Sequence, residues 1–550
     1  MSVHELLLRL RECNIAVHVR DGELAIRAPR GVMTADMLEL LKRHKGELLA
    51  MPPDEHGRLT ASDLVKPSVP RRITPDLLPL VKLTQDEIDS IVTTVPGGVE
   101  NVQDIYPLAP LQEGILFHHL LEGESGGDTY LLRSVVAFDS RERLDTFLAA
   151  LQVVIDRHDI LRSSMCWQGL SQPVQVVLCH ALLPVQELVL SPDEPALQQL
   201  LYRSDPRRIR LDLQRAPLLA AQVALDLQNG EWLLALLNHH LVCDHVTMDL
   251  IMAEIQQLLQ GQGAHLRRSL PFRNFIARTH AVPETEHEAY FREQLGDIDE
   301  PTAPFGILNV QDGAQADKAR IRLDDALAQR IRDAARRCGV TAAVLFHVAW
   351  AQVLAQSSGC DDVVFGTVLS GRLQGSEGAD QVFGMFLNTL PMRITLEHSA
   401  VGEAVRDAHR RLSELLTHEQ ASLALAQRCS AIVPPLPLFT SLLNYRHSHE
   451  SGAADGAADS AWEGMRVLSG DTRNNYPLTM SVEDWGLGFG LTVLSVSGIN
   501  GARVARYMET AIDSLVTALE TDATRPLRSL SVLPASERDQ VLYGFNATAT

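Results

Sequence analysis

Within six residues the chain places His239, His240 and Asp244, the group of side chains best suited to moving a proton. Imidazole titrates near neutrality, so a histidine can accept a proton and return it at pH 7. A carboxylate beside it can hold a loop in place, and if buried it needs a cation next to it. A histidine pair alone is commonly a surface feature or a satisfied core group, and this chain carries a second pair at His118 and His119. What sets the later pair apart is its setting. Trp232 to Leu237 is an apolar run of strand length, and after His245 a helical pattern runs through Leu250, Ile251, Ile255 and Leu258. A strand end fixes one imidazole towards a cavity. The tight turn lets Asp244 fold back under the loop, with an arginine as its expected partner.

Composition bounds the rest. At 550 residues the chain is too long for one core, and about three or four domains are expected. It is 45% hydrophobic and 21% charged, the profile of an ordinary globular protein. Acidic residues outnumber Lys and Arg by 69 to 49, a net charge of −20. That argues against a nucleic-acid surface, which needs clustered positive charge. The seven cysteines are scattered, with no Cys-x-x-Cys spacing, so neither a zinc ribbon nor a disulfide framework is expected. No metal site and no dinucleotide or phosphate loop is announced by any spacing. The glycines of VVFGTVLSG are too far apart for G-x-G-x-x-G. The N-terminus carries acidic residues and no run of 18 apolar residues occurs; the expectation is a cytoplasmic protein without a membrane segment.

Several elements must position the histidines. At the N-terminus, residues 3–12 read as a helix. IAVHVRDGELAIRA then reads as a hairpin, with strands from Ile15 to Val19 and Leu24 to Ala28 about an Asp21-Gly22 turn. A second helix is expected from about Thr34 to Leu49. Residues 53–104 are rich in proline and read as a linker with one short helix, Leu83 to Val92, capped by Thr84. From Ile105 the segment IYPLAPLQEGILFHHLL enters a helix with Ile115, Leu116 and Leu120 facing a core. TYLLRSVVAFD reads as a strand, and a long helix follows and ends at Arg157-His158-Asp159, charges that suit a helix C-terminus. Strands are expected at 174–178 and 219–226, before the central one. The second half repeats the alternation. A strand at 318–323 and helices at 324–338 and 341–356 lead to a buried strand that ends at Gly371-Arg372. A Gly/Ala-rich stretch at 451–461 reads as a loop tip. The fold class is α/β, with two similar lobes.

The motifs together resemble a known family. YPLAPLQEGILFHHLL, RHDILRSSM and NHHLVCDH look like the first three core motifs of the condensation domains of nonribosomal peptide synthetases. LPFRNFIARTH, FGMFLNTLPMR, THEQASL and TRNNYPL follow in the family's order, and LLNYRHS is another familiar segment. The first 50 or so residues resemble the docking domains first described on tubulysin-like assembly lines. The resemblance implies two chloramphenicol acetyltransferase-like lobes forming a V-shaped pseudo-dimer with a tunnel between them. A small α+β docking domain of helix, hairpin and helix precedes them. The expected division is 1–52 docking domain, 53–104 linker, 105–275 N-lobe, 276–538 C-lobe and 539–550 the start of a linker to an adenylation domain.

The resemblance further implies amide formation between an acyl thioester and the α-amine of an aminoacyl thioester. Aligning two tethered reactants is worth about 7–11 kcal/mol, and a positioned base adds roughly 10²–10⁴-fold. By position His240 is the base or amine-positioning residue and His239 orients the loop. Asp244 is structural, with Arg372 its expected partner and Arg393 the second choice. Asn475 matches the position that polarises the tetrahedral oxygen. The family motif closes on glycine where this chain has His245, and with Asp249 and Ala253 that residue is a candidate for shaping a donor pocket. No tightly bound cofactor is implied, only the phosphopantetheine arms of upstream and downstream carrier proteins. The docking unit implies an upstream subunit, because an exposed hairpin edge is a receptor for a peptide tail. A starter-type domain acylating the first amino acid from fatty acyl-CoA, on the way to a lipopeptide, uses the same residues and stays open. An epimerisation domain shares the histidine motif but fits the first motif and the tail less well. Heterocyclisation is set aside because aspartate would stand at His239. A silent recruitment platform would not need His240, Asp244 and Asn475.

Overall fold

The computed structural model describes residues 16–20, 23–27, 45, 58–59, 72–121, 123, 127–279, 282–308, 316–372, 381–397, 399–447, 462–470 and 475–547. The chain divides into two compact units, Met1–Leu77 with Thr84–Val102, and Leu78–Leu83 with Gln103–Thr550.

The first unit holds a three-stranded antiparallel sheet. β1 (Ala16–Arg20) and β2 (Glu23–Arg27) form the expected hairpin, with Arg20 opposite Glu23, so the chain reverses through positions 21–22. β3 (Arg58–Leu59) adds to the outer side of β1, inside the stretch read as linker. The helices expected at 3–12 and 34–49 lie outside the described residues, apart from helical Lys45, as does the loop at 451–461. α1 (Gln85–Thr94) begins behind a capping box. The Thr84 hydroxyl accepts from the Glu87 amide, and the Glu87 carboxylate accepts from the Thr84 amide at 2.7 Å.

The larger unit contains two lobes, each a sheet covered by helices. In the first lobe the sheet order is β15-β5-β10-β9-β8. Its members are β5 (Leu131–Phe138), β8 (Val185–Glu187), β9 (Leu219–Asp226), β10 (Glu231–His239) and β15 (Met465–Gly470). β10 lies between β5 and β9, antiparallel to both. Leu233 to Leu237 are all buried, which is why that run is apolar without alternation. A smaller sheet, β4-β7-β6, is made by β4 (Val102–Pro107), β6 (Ser163–Cys166) and β7 (Val174–Leu178). α2 (Pro110–Leu121), α3 (Arg141–Arg157) and α4 (His245–Leu259) are among the helices that cover the lobe, α3 packing on α4. Along α2, Ile115 and Leu116 are buried as expected, but Leu120 is 47% exposed. The inward position one residue earlier is occupied by His119, which is anchored to a buried carboxylate described below.

The second lobe is a six-stranded sheet in the order β11-β17-β16-β14-β12-β13. These strands are β11 (Ala316–Arg322), β12 (Asp362–Leu369), β13 (Asn388–Thr395), β14 (Ser441–His447), β16 (Leu478–Asp484) and β17 (Phe489–Val496). β14 runs parallel to both β12 and β16. α5 (Ala342–Ser358) is buried on nearly every side, with Leu345, Phe346 and Trp350 fully inside. Among the described residues no single helix is long and apolar enough to cross a membrane.

Two segments of the later half are built into the first lobe. β15 pairs with β5 at the sheet's edge. Val382, Phe383, Met385 and Phe386 enter the first lobe's core, where the His158 ring stacks on Phe383 at 3.5 Å. Burial of each phenylalanine contributes about 1.5–3 kcal/mol. A division at 275/276 therefore describes the chain's order, whereas the packing interleaves the halves.

Candidate active site

His239 and His240 stand where β10 leaves the sheet. The His239 amide donates to the Leu218 carbonyl at 3.0 Å and the His240 amide to the Tyr130 carbonyl at 2.9 Å. After these two bonds the chain turns and the two imidazoles part. The His239 ring is fully buried. Its Nδ1 accepts from the Leu241 amide at 3.2 Å, so Nε2 carries the proton towards Asp128 Oδ2 at 3.1 Å. His119 Nδ1 meets the same oxygen at 2.9 Å, and the second oxygen accepts from the Tyr130 amide at 3.0 Å. Burial alone would raise the Asp128 pKa, but the hydrogen bonds from His119 and His239 outweigh it and hold the carboxyl well below the usual range. These three side chains are close enough for each to offer one ligand atom to a metal ion. The same contacts are also complete hydrogen bonds.

The His240 ring is half-buried and faces a cavity of about 460 Å³. Burial pushes its pKa down to about 4 against the pull of Asp244, so the ring is neutral at pH 7. Among the described residues its Nδ1 has no hydrogen-bond partner. The cavity is lined from both lobes: His118 and Tyr130 accompany His240 from the first, and Asn475, Val368 and Leu442 come from the second. Asn475 is 7% exposed. Its Oδ1 accepts from the Tyr130 hydroxyl at 3.0 Å, and its Nδ2 lies 3.2 Å from His118 Nε2.

Asp244 does a different job. It caps α4 by accepting from the Thr247 amide at 2.7 Å, and both its oxygens lie 3.2 Å from Arg372 Nη2. Arg372 also donates to the Val382 carbonyl at 2.6 Å and stacks over the Phe386 ring. The Thr247 hydroxyl closes the knot by donating to the Gly384 carbonyl at 2.8 Å. Gly371 has a left-handed φ of 64°, and any side chain there would collide with the Phe386 carbonyl. Only glycine lets the chain bring Arg372 in at this point. Arg393, the second candidate, instead pairs with Asp362 and Asp297.

Sequence reasoning thus names His239, His240, Asp244, Asn475 and Arg372, and the fold gathers these in one region. His245 adjoins this group, while Asp249 and Ala253 lie further along the helix. They are the start and outer face of α4, Asp249 and Ala253 are exposed, and none of the three lines the cavity. Burial lowers the pKa of His245, with Asp244 raising it and Arg446, a cavity-lining residue, lowering it further. Four site residues went unrecognised in the sequence: His118, His119, Asp128 and Tyr130. The signal for the first two was the earlier histidine pair, at the end of a helix that lies within a family motif.

Comparison with known proteins shows the family and the fold. Residues 102–541 match the family model described as the condensation domain, and residues 3–51 match the TubC N-terminal docking domain. The malpinin synthetase of Mortierella alpina is 47% identical over 500 residues, 90% of this chain and 6% of that protein. The malpibaldin synthetase of the same organism is 45% identical over 480 residues, 87% of this chain and 8% of that one. This chain therefore spans less than a tenth of the length of those relatives. Among solved structures, the X-domain from teicoplanin biosynthesis superposes with a TM-score of 0.62 at 20% identity, covering 78% of this chain and 97% of that one. A starter condensation domain of rhizomide synthetase, in complex with C8-CoA, gives 0.59 at 18% identity, covering 82% and 100%. These likenesses establish the chloramphenicol acetyltransferase-like fold of the two lobes. The chain belongs to the condensation-domain family of nonribosomal peptide synthetases, with a TubC-type docking domain at its N-terminus.

Proposed function

We propose that the cavity beside His240 joins an acyl thioester donor to the α-amine of a carrier-bound aminoacyl acceptor. One observation carries this reading: His240 from the first lobe and Asn475 from the second line the same cavity. The amine nitrogen attacks the thioester carbonyl, the C–N bond forms, and the oxygen becomes an oxyanion. The intermediate collapses with loss of the pantetheine thiolate, and the proton shed by nitrogen ends on that sulfur. Asn475 Nδ2 is a donor suited to the oxyanion, and one such donor is typically worth about 2.7–4 kcal/mol. A neutral His240 accepts a hydrogen bond from the attacking amine and aims its lone pair. Full protonation of a ring with a pKa of about 4 costs on the order of 4 kcal/mol at pH 7. That favours a role in orienting the amine, with the proton passed on as the C–N bond forms. The donor is read as carrier-bound and delivered by an upstream subunit, because the chain opens with a docking-domain match. Acyl-CoA is the alternative.

The test supplies the purified chain with a downstream carrier loaded with an amino acid and, separately, acyl-carrier and acyl-CoA donors. Amide product is read by mass. His240→Ala should abolish most of it, and an Ala variant as active as the wild type would leave only a recruitment role.

A second activity is supported by one further observation: two imidazoles, His118 and His240, line the cavity from different elements. The Cα–H beside a thioester carbonyl is acidified, so one ring could remove that proton and the other return one to the opposite face. Net composition is unchanged and the donor Cα is inverted before transfer. Deuterium appearing at that carbon in D₂O, and its loss in His118→Ala, is the expected outcome; product with unexchanged Cα–H rules the step out.

A further inference from the structure

We propose that Tyr130 is a positioning residue that joins the two halves of the site. The inference rests on the amide-forming reading above and extends it to a residue that no motif singled out. Three of the bonds Tyr130 makes have different duties. Its amide is fixed by Asp128 Oδ1 at 3.0 Å, its carbonyl accepts from the His240 amide at 2.9 Å, and its hydroxyl reaches Asn475 Oδ1 at 3.0 Å. One residue therefore sets the main chain at His240 and the side chain at Asn475, groups contributed by opposite lobes.

The hydroxyl is the informative contact. An asparagine amide turns freely about its last torsion unless both ends are held. Here Tyr130 holds Oδ1 and His118 Nε2 lies 3.2 Å from Nδ2. With the oxygen engaged, the remaining Nδ2 hydrogen is what the amide offers to the cavity. Without the tyrosine hydroxyl the amide can turn its oxygen towards the reacting carbonyl, which would repel a developing oxyanion. Asp128 supports this from behind. Locked between His119 and His239, it keeps Tyr130 in register with the end of β10.

Tyr130→Phe removes one oxygen and keeps the ring, so folding should survive and is checked by thermal melting. The expected result is about a tenfold fall in kcat with KM little changed, because the lost contact orients a donor that acts in the transition state. Asn475→Ala should lower kcat roughly 10²-fold or more, and adding Tyr130→Phe to it should change nothing further. A merely structural tyrosine would give multiplied losses in the double variant. That outcome, or a Tyr130→Phe protein with wild-type kcat, overturns the proposal. A second readout needs no turnover. In protein labelled with ¹⁵N-asparagine, the side-chain NH₂ signal assigned to Asn475 by its absence in Asn475→Ala should shift in Tyr130→Phe; an unmoved signal also refutes the link. If the wild type makes no amide from any donor, the functional reading fails while the spectroscopic result still decides the role of Tyr130.

Discussion

Arg372 Nη2 lies 3.2 Å from both carboxylate oxygens of Asp244, in a pair almost closed off from solvent. The aspartate comes from the turn that follows the two histidines and the arginine from just beyond the end of β12, so one ion pair ties that turn to the opposite lobe.

Removing one partner of such a pair leaves a buried charge alone, which costs about 3–5 kcal/mol. Arg372→Ala should therefore destabilise the larger unit by that order in denaturant unfolding. Asp244→Ala should cost as much or more, because it also removes the cap of α4, a contribution of roughly 1 kcal/mol. The double variant should be less damaged than the sum of the singles. Fully additive losses would mean that the pair is not coupled.

The pH dependence of turnover tests the depressed pKa of His240. Attack needs an uncharged amine, and a free α-amino group titrates near 7.7–8.0. Below that range the logarithm of the rate should fall with a slope of about one. A histidine titrating near 6.5 and required as neutral would steepen the slope to two below that pH. Because burial holds His240 down to about 4, the slope should stay near one down to pH 5. A break near 6.5 that disappears in a His240 variant would contradict the burial of this ring.

His245 offers a prediction of the opposite kind. The residue stands outside the cavity lining, as do Asp249 and Ala253. His245→Gly should leave donor chain-length preference unchanged in competition assays. Val368→Phe, which fills part of the cavity wall, should shift preference to shorter donors. Should the glycine variant change preference and the phenylalanine variant not, the donor runs along α4 and not through the cavity.

How much of this was legible depended on distance along the chain. His240 and Asp244 could be read because strand, turn and helix are local, and their apolar periods change within one stretch. Thr84 and its box with Glu87 were readable for the same reason. Asp128 could not be read. It sits 9 residues from His119 and 111 from His239, and its meaning exists only once β10 and α2 are packed together. The pair at 118 and 119 carries no such local pattern, although one ring reaches Asn475 and the other the buried carboxylate. β15 was invisible for another reason. Its burial is slight, and it joins the first lobe through backbone pairing with β5, with Met465 and Leu468 packed on the sheet's cores and Arg466 paired with Glu231. Choosing Arg372 over Arg393 came from the family resemblance; the physical ground, Gly371 passing close to Phe386, emerges only in three dimensions.

Glu419 gives a stability prediction that is independent of the chemistry. It is 2% exposed, its Oε2 has no hydrogen-bond partner among the described residues, and burial pushes its pKa from 4.5 up to about 7. Between those values the folded chain binds the proton more readily than the unfolded one, so this residue makes stability fall as pH rises through that window. By pH 8 the penalty is complete, on the order of 3 kcal/mol. Buried His347 works the other way: burial pushes it down to about 4, so it lowers stability as pH falls from 6.5 towards 4. Glu419→Gln removes only the loss that sets in as pH rises from 4.5 to 7. The variant should match the wild type near pH 4.5 and exceed it at pH 8, with the gap opening between the two. Denaturant unfolding at both values measures it, and a variant less stable than the wild type at pH 8 would mean that the carboxylate has a cation or water the folded chain holds for it.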